Sequence, residues 1–197
     1  GANIYLADVD NETGQMTPKT LKDCIKHNKL KKIKAVVTMY LGGSPNNVLE
    51  FYKLKKLFNF FLIEDSCHAL GASYIYNKKT LKVGCSKHCD LSTFSLHPVK
   101  SITSGEGGIV TTNNNLLASR IKLLRSHGMY KKVNTNQYWK YDIKVPGFNF
   151  RLSDINAALA YSQLNKLNNF IIYRNTLYLK YLDKFKNISN IIKVIKH

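Results

Sequence analysis

AVVTMYLGGSPNNVLEFYKLKKLFNFFLIED, Ala35 to Asp65, reads as strand, turn, helix and strand. Ala35-Val36-Val37-Thr38-Met39 is a short apolar run of the kind that forms a buried strand. Gly42, Gly43, Ser44 and Pro45 break it. Ser44 is placed to cap the next helix, and Pro45 suits its first turn. Val48, Phe51, Leu54, Leu57 and Phe58 then recur at helical spacing. Phe60 to Ile63 is a second strand, ending on Glu64 and Asp65. Strand, helix and strand joined by short links predict a largely parallel sheet.

The pattern continues outward. Leu91 to Leu96 reads as a third strand and Ile109 to Thr112 as a fourth, with Leu117, Ile121 and Leu124 marking a helix beyond. Asn77 to Lys82 (NKKTLK) is a charged hairpin or loop. Lys131 to Lys140 (KKVNTNQYWK) is polar, without a clear period, and reads as a surface excursion. From Ser153, a plausible N-cap with Asp154 in the first turn, the chain turns helical on an apolar face of Ile155, Ala158 and Leu159. A second helical pattern covers about Asn168 to Phe185. No internal repeat is present.

The chain has 197 residues, enough for one large domain or two small ones, and its 44% hydrophobic content supports a real core. The start, GANIYLADVDNETG, carries acids where a signal peptide would be basic. No run of about 18 apolar residues is long enough for a transmembrane helix. A first residue of Gly1 points to a processed chain or a piece of a longer one. The cysteines, Cys24, Cys67, Cys85 and Cys89, are expected to be reduced. Cys85-Ser86-Lys87-His88-Cys89 invites a metal reading, but its spacing matches no common zinc pattern, so no metal site is expected. The net charge of +18 is compatible with an acidic partner, but the lysines are scattered and no RNA-binding aromatic motif accompanies them. A basic nucleic-acid binder is the weaker alternative.

Parallel sheets bind ligands beyond the carboxyl ends of their strands. Asp65 sits at one such end and the segment His97 to Lys100 at another. An acid closing an apolar strand is costly to bury without a partner. Asp65 is therefore a cap, a salt-bridge member, or a carboxylate facing a protonated ring nitrogen. His68 follows three residues on and is either a satisfied structural residue or part of the same site. Lys100 stands apart from the other lysines: Ser95 and Pro98 precede it, and Thr103-Ser104-Gly105-Glu106-Gly107-Gly108 follows. Glycines permit close approach of backbone to a ligand, and a lysine in a dry pocket is a ready amine nucleophile. The turn itself matches neither GxGxxG nor a P-loop.

EDSCHALGA (64–72), DLSTFSLHPVKSITSGEGG (90–108), KLLRSHGM (122–129) and PGFNFRLSDINAALAYSQL (146–164), in that order, resemble the DegT/DnrJ/EryC1/StrS family of sugar aminotransferases, which use pyridoxal 5′-phosphate (PLP). The opening GANIYLADVDNETGQMTPKTL is similar as well, so the resemblance runs over essentially the whole chain. It implies an α/β fold: a central, mostly parallel sheet with flanking helices, the large domain of a PLP-dependent type I transferase (aspartate aminotransferase-like), incomplete here. Residues 1–166 would be the partial PLP-binding domain, and 167–197 the linking helix and start of a truncated C-terminal small domain.

By the same resemblance, Lys100 would bond to the aldehyde carbon of PLP and later move the proton. Asp65 would pair with the pyridine nitrogen, His68 would lie beside the ring hydroxyl, and Ser95 would hydrogen-bond the phosphate. Asn149, in GFNFR, would reach the phosphate held by a neighbouring subunit, which implies a homodimer. Some relatives carry His in place of the lysine and dehydrate their substrate; Lys100 favours transamination. The implied substrate is a nucleotide-linked 4-keto-6-deoxy sugar, with glutamate as amino donor. HALGA, FSLHPVKSITSGEGG and RSHGM are most similar to the branch that aminates a UDP-linked keto-hexosamine in pseudaminic acid synthesis. A cytoplasmic location is expected, with neither nucleic acid nor membrane as partner. The segment expected to hold the PLP phosphate at a helix N-terminus has no counterpart here. The chain is thus expected to be the middle of such an enzyme, and a catalytically inactive remnant or interaction protein is the alternative.

Overall fold

Residues 1–131, 139–189, 191–192 and 194–195 are described by the computed structural model. In chain order they form α1 (Pro18–His27), β1 (Ala35–Met39), α2 (Val48–Phe58), β2 (Phe61–Asp65), β3 (Ser73–Tyr76), β4 (Lys79–Lys82), β5 (Leu91–Ser95), β6 (Gly108–Thr111), α3 (Asn115–Arg125), β7 (Met129–Tyr130), β8 (Asp142–Ile143), α4 (Asp154–Leu164) and α5 (Leu167–Phe185). The main sheet has the order β1-β2-β5-β6. β1, β2 and β5 run parallel, and β6 returns antiparallel to β5. The α/β class and the largely parallel sheet are as the sequence implies.

Strand alternation decides which face is covered. In β1, Val36 and Thr38 are buried while Val37 and Met39 are exposed. On the covered face, Val36 and Leu62 join Leu21 and Ile25 of α1 and Phe51 and Leu54 of α2 in one core cluster. Burying side chains of this size stabilises by roughly 1.5–3 kcal/mol each. On the other face Val37 is 60% exposed and Phe61 52%. Lys55 of α2 also pairs with Asp90 at 3.1 Å, and Asp90 accepts the Leu62 N–H at 2.7 Å, tying helix to sheet.

The sequence reading misses α1 and misplaces the start of α2. The Thr17 side chain accepts the Thr20 N–H at 3.2 Å while Thr20 Oγ1 accepts the Thr17 N–H at 2.9 Å, and Pro18 follows. This is a reciprocal capping box, written with a second threonine in place of the usual Glu or Gln. Ser44 caps nothing in α2. It closes a 3-10 turn (Leu41–Gly43), and α2 begins after Asn47, which is in the left-handed region at φ 58. Asn tolerates that region better than most residues. The charged NKKTLK stretch falls in the β3–β4 hairpin, whose two turn residues, Asn77 and Lys78, both have positive φ. Ser153 caps α4 as expected, accepting the Asn156 N–H at 3.2 Å. Most of the stretch Lys131 to Lys140 lies outside the described residues.

Candidate active site

Two loops meet at the carboxyl ends of the parallel strands. The first leaves β2 at Asp65. Asp65 Oδ1 accepts the Cys67 N–H at 3.1 Å, and the Asp65 carbonyl accepts the Tyr40 N–H at 3.1 Å. His68 sits against the 3-10 turn: the Gly42 N–H donates to His68 Nδ1 at 3.4 Å. A side chain at Gly43, where φ is +88, would lie 2.6 Å from the His68 carbonyl oxygen. Only a glycine admits that approach.

The second loop runs from Ser95 to Gly108, residues paired across β5 and β6. It is closed by the Leu96 N–H donating to the Gly107 carbonyl at 2.9 Å and the Ser104 N–H donating to the Leu96 carbonyl at 3.0 Å. Lys100 is in this loop; its N–H donates to the His97 carbonyl at 3.0 Å. Helices support the loop from outside. Asn156 of α4 donates to the Glu106 carbonyl at 3.0 Å, and Arg174 of α5 donates to the Lys100 carbonyl at 3.2 Å. Leu167 of α5 is buried with Leu96 and Ile102 beneath it. A cleft of about 230 Å³ between loop and helix is lined in part by Lys100, Thr103, Gln163 and Arg174.

Asp65 and Lys100 both bear on the protonation of the side chains between them in sequence, Cys67 and His68. Burial holds the His68 imidazole below its ordinary range; the Lys100 ammonium pushes it further down and the Asp65 carboxylate opposes both. Burial raises the Cys67 thiol, reinforced by its hydrogen bond to Asp65 and that carboxylate's charge, with Lys100 opposing. Cys67 is therefore a thiol at neutral pH and not a nucleophile. Because His68 Nδ1 accepts from Gly42, its Nε2–H remains as donor. Ser95 Oγ accepts the His97 N–H at 3.3 Å and keeps its own O–H to give.

The structure thus brings Asp65, His68 and Lys100 to one end of the sheet, with Ser95 at the mouth of the second loop. Asn149 lies on a different segment, bridged to Ser126 and exposed, flanked in sequence by Phe148 and Phe150, whose rings stack on each other. The Cys85–Cys89 stretch holds no metal cluster among the described residues, in which all four cysteines are free. The support that Arg174 gives Lys100 is absent from the sequence reading. The two are 74 positions apart, and no local pattern links them.

The DegT/DnrJ/EryC1/StrS aminotransferase family model matches residues 1–197. The chain belongs to that family. A Campylobacter jejuni UDP-4-amino-4,6-dideoxy-N-acetyl-beta-L-altrosamine transaminase is 40% identical over 186 residues, 94% of this chain and 46% of the relative. Helicobacter pylori PseC, an aminotransferase involved in the biosynthesis of pseudoaminic acid, superposes with a TM-score of 0.78 at 36% identity, covering 91% of this chain and 44% of that one. A Streptococcus pneumoniae protein assigned as a sugar aminotransferase, in its PMP form, gives 0.79 at 25% identity, covering 94% and 50%. The chain spans about half the length of the curated relatives it matches.

Asp65, His68, Ser95 and Lys100 have the chemistry to fit a pyridine aldehyde phosphate. A carboxylate can accept a ring N–H, an amine can take an aldehyde, and imidazole and hydroxyl donors can serve a ring oxygen and a phosphate oxygen.

Proposed function

We propose that this chain carries the lysine-bearing half of a PLP-dependent aminotransferase that moves an amino group from glutamate to a nucleotide-linked 4-keto-6-deoxy sugar. The observation that supports it is geometric: β2 and β5 are adjacent parallel strands with Asp65 opposite Thr93, so the loop bearing His68 and the loop bearing Lys100 leave neighbouring strand ends. The names of the altrosamine transaminase and of PseC support a UDP-linked amino-hexose as the sugar class. The division at 166/167, a homodimer and a cytoplasmic location belong to the same proposal. The exposed, stacked Phe148 and Phe150 beside Asn149 support a contact with a second copy.

PLP, when bound, supplies an electron sink for the carbanion formed at the amino acid's α-carbon. Asp65 accepts the ring N–H and keeps that proton in place. Lys100 would hold the aldehyde carbon through its amine. The same amine would serve as the base that moves the proton at the donor Cα. His68 donates from Nε2 to the ring oxygen, and Ser95 to a phosphate oxygen. Glutamate leaves as its 2-oxo acid; the sugar ketone returns as an amine.

The uncovered sheet face favours a second reading for the chain alone. Val37 and Phe61 in water form the kind of apolar patch that marks an interaction surface, as expected of a catalytically inactive interaction protein. One experiment addresses both. Purified chain is titrated with PLP, reduced with borohydride and mapped by peptide mass, beside Lys100→Ala. A visible band and a pyridoxyl label on Lys100, both lost in the variant, are expected. No label on the wild-type chain sinks the reading that it assembles the site by itself. A label on other lysines alone sinks the role given to Lys100.

A further inference from the structure

Beside Asp65 lies an acid that the proposed chemistry does not use. Glu64 is 4% exposed. Neighbouring strand residues face opposite ways, so its carboxylate lies behind the sheet from Asp65. It is level with Thr38 of β1 and Ser92 of β5. Tyr40 Oη donates to Glu64 Oε1 at 2.7 Å, and Ser92 Oγ donates to Oε2 at 2.7 Å. Both are full-strength hydrogen bonds by distance.

Glu64 has no ion-pair partner among the described residues. The neutral titratable groups on its side are Tyr40, Tyr74, Cys89 and His88, and the charged ones on the same helix-covered face are Lys55, paired with Asp90, and Lys56, over the Tyr52 ring. Burial pushes both tyrosines up and the Cys89 thiol to about 12, so all three stay protonated. His88 is held down by burial and then by Lys87, with Glu64 opposing, and is neutral at neutral pH. None of the four neutral groups offsets the carboxylate, and neither Lys55 nor Lys56 pairs with it. On the Asp65 side lie Cys67, His68 and Lys100. A buried, unpaired carboxylate is costly to keep, and this one stands next to the acid of the candidate site.

We propose that Glu64 is a positioning residue: its carboxylate clamps β1, β2 and β5 beneath the site and sets a second negative charge behind Asp65, favouring a cationic ring there. The clamp reaches the site through Tyr40. Its side chain holds Glu64, its N–H holds the Asp65 carbonyl, and its carbonyl accepts the Gly43 N–H at 3.0 Å in the turn that seats His68. The inference rests on the PLP reading above.

The test uses the full chain with PLP as probe. The pH midpoint of the visible band is measured for wild type, Glu64→Gln and Glu64→Asp, with thermal melts alongside. Loss of a nearby negative charge disfavours the protonated, cationic form. Glu64→Gln is expected to lower the midpoint by about half a pH unit or more. Glu64→Asp keeps the charge and is expected to restore most of that shift, even though it is too short to hold both hydroxyls. A Glu64→Gln midpoint equal to wild type, with only the melting temperature lowered, overturns the inference and leaves the PLP reading standing. A wild-type chain with no band overturns both. Should Glu64→Gln not fold, Tyr40→Phe reads the clamp. It is expected to cut borohydride labelling of Lys100 several-fold at unchanged secondary structure, and wild-type labelling overturns the clamp.

Discussion

Single side chains make the sharpest tests. Asp65→Asn keeps the shape of the carboxylate and removes its charge. In a preparation that turns over substrate, its turnover is expected to fall about 10²–10³-fold, as when one preorganised electrostatic partner is removed. Steady-state kinetics beside wild type would show it, and an unchanged kcat would remove Asp65 from the mechanism. His68 and His88 set a pH dependence. Both are held neutral by burial, His68 also by Lys100 and His88 by Lys87. Unfolded, each protonates near about 6.5. Below that the unfolded chain binds more protons than the folded one, so the stability they contribute is present at higher pH and is lost on acidification. The urea midpoint is expected to be lower at about pH 5.5 than at about 7.5, with a shallower pH slope in His88→Gln. Equal slopes would mean that His88 is not the titrating group.

Elements carry those residues, and they differ in how plainly the sequence shows them. β1 and β2 are legible because each holds a short apolar run, whereas β5 (LSTFS) is marked only by Leu91 and Phe94 among hydroxyl residues. Ser44 misleads as a cap because nothing local reveals that Asn47, in the left-handed region, restarts the chain direction. α1 is missed because its reciprocal cap uses Thr20. At the site, Asp65 and Lys100 stand out at strand ends, but their roles follow only from the family resemblance. The Glu64 clamp is invisible in sequence, since its hydroxyl partners lie 24 and 28 positions away. The turn under His68 offers its own test. Gly43→Ala must move the His68 backbone and adopt a left-handed conformation, and is expected to cost about 1–3 kcal/mol. Denaturant unfolding would measure this, together with weaker PLP labelling. A variant as stable as wild type would show that the turn relaxes freely.

The whole molecule balances two opposed tendencies. Its charge of +18 keeps copies apart, while one apolar sheet face invites contact. Salt screens the first and leaves the second. Self-association in sedimentation velocity is therefore expected to rise with ionic strength, and Val37→Thr with Phe61→Ser is expected to reduce it. Association that falls with salt would place the contact on charged groups instead. The pairing of Ser95 with Gly108 has a kinetic meaning as well. The segment that presents Lys100 is closed on itself by neighbouring strands, so its ends meet at the small entropic cost of a short loop. The amine can regain its place after a local opening by zipping one hairpin, without waiting for distant strands to find their order. Asp65 and His68 depend on that slower assembly. In refolding, the loop that bears Lys100 would stand ready before the strand end that bears Asp65.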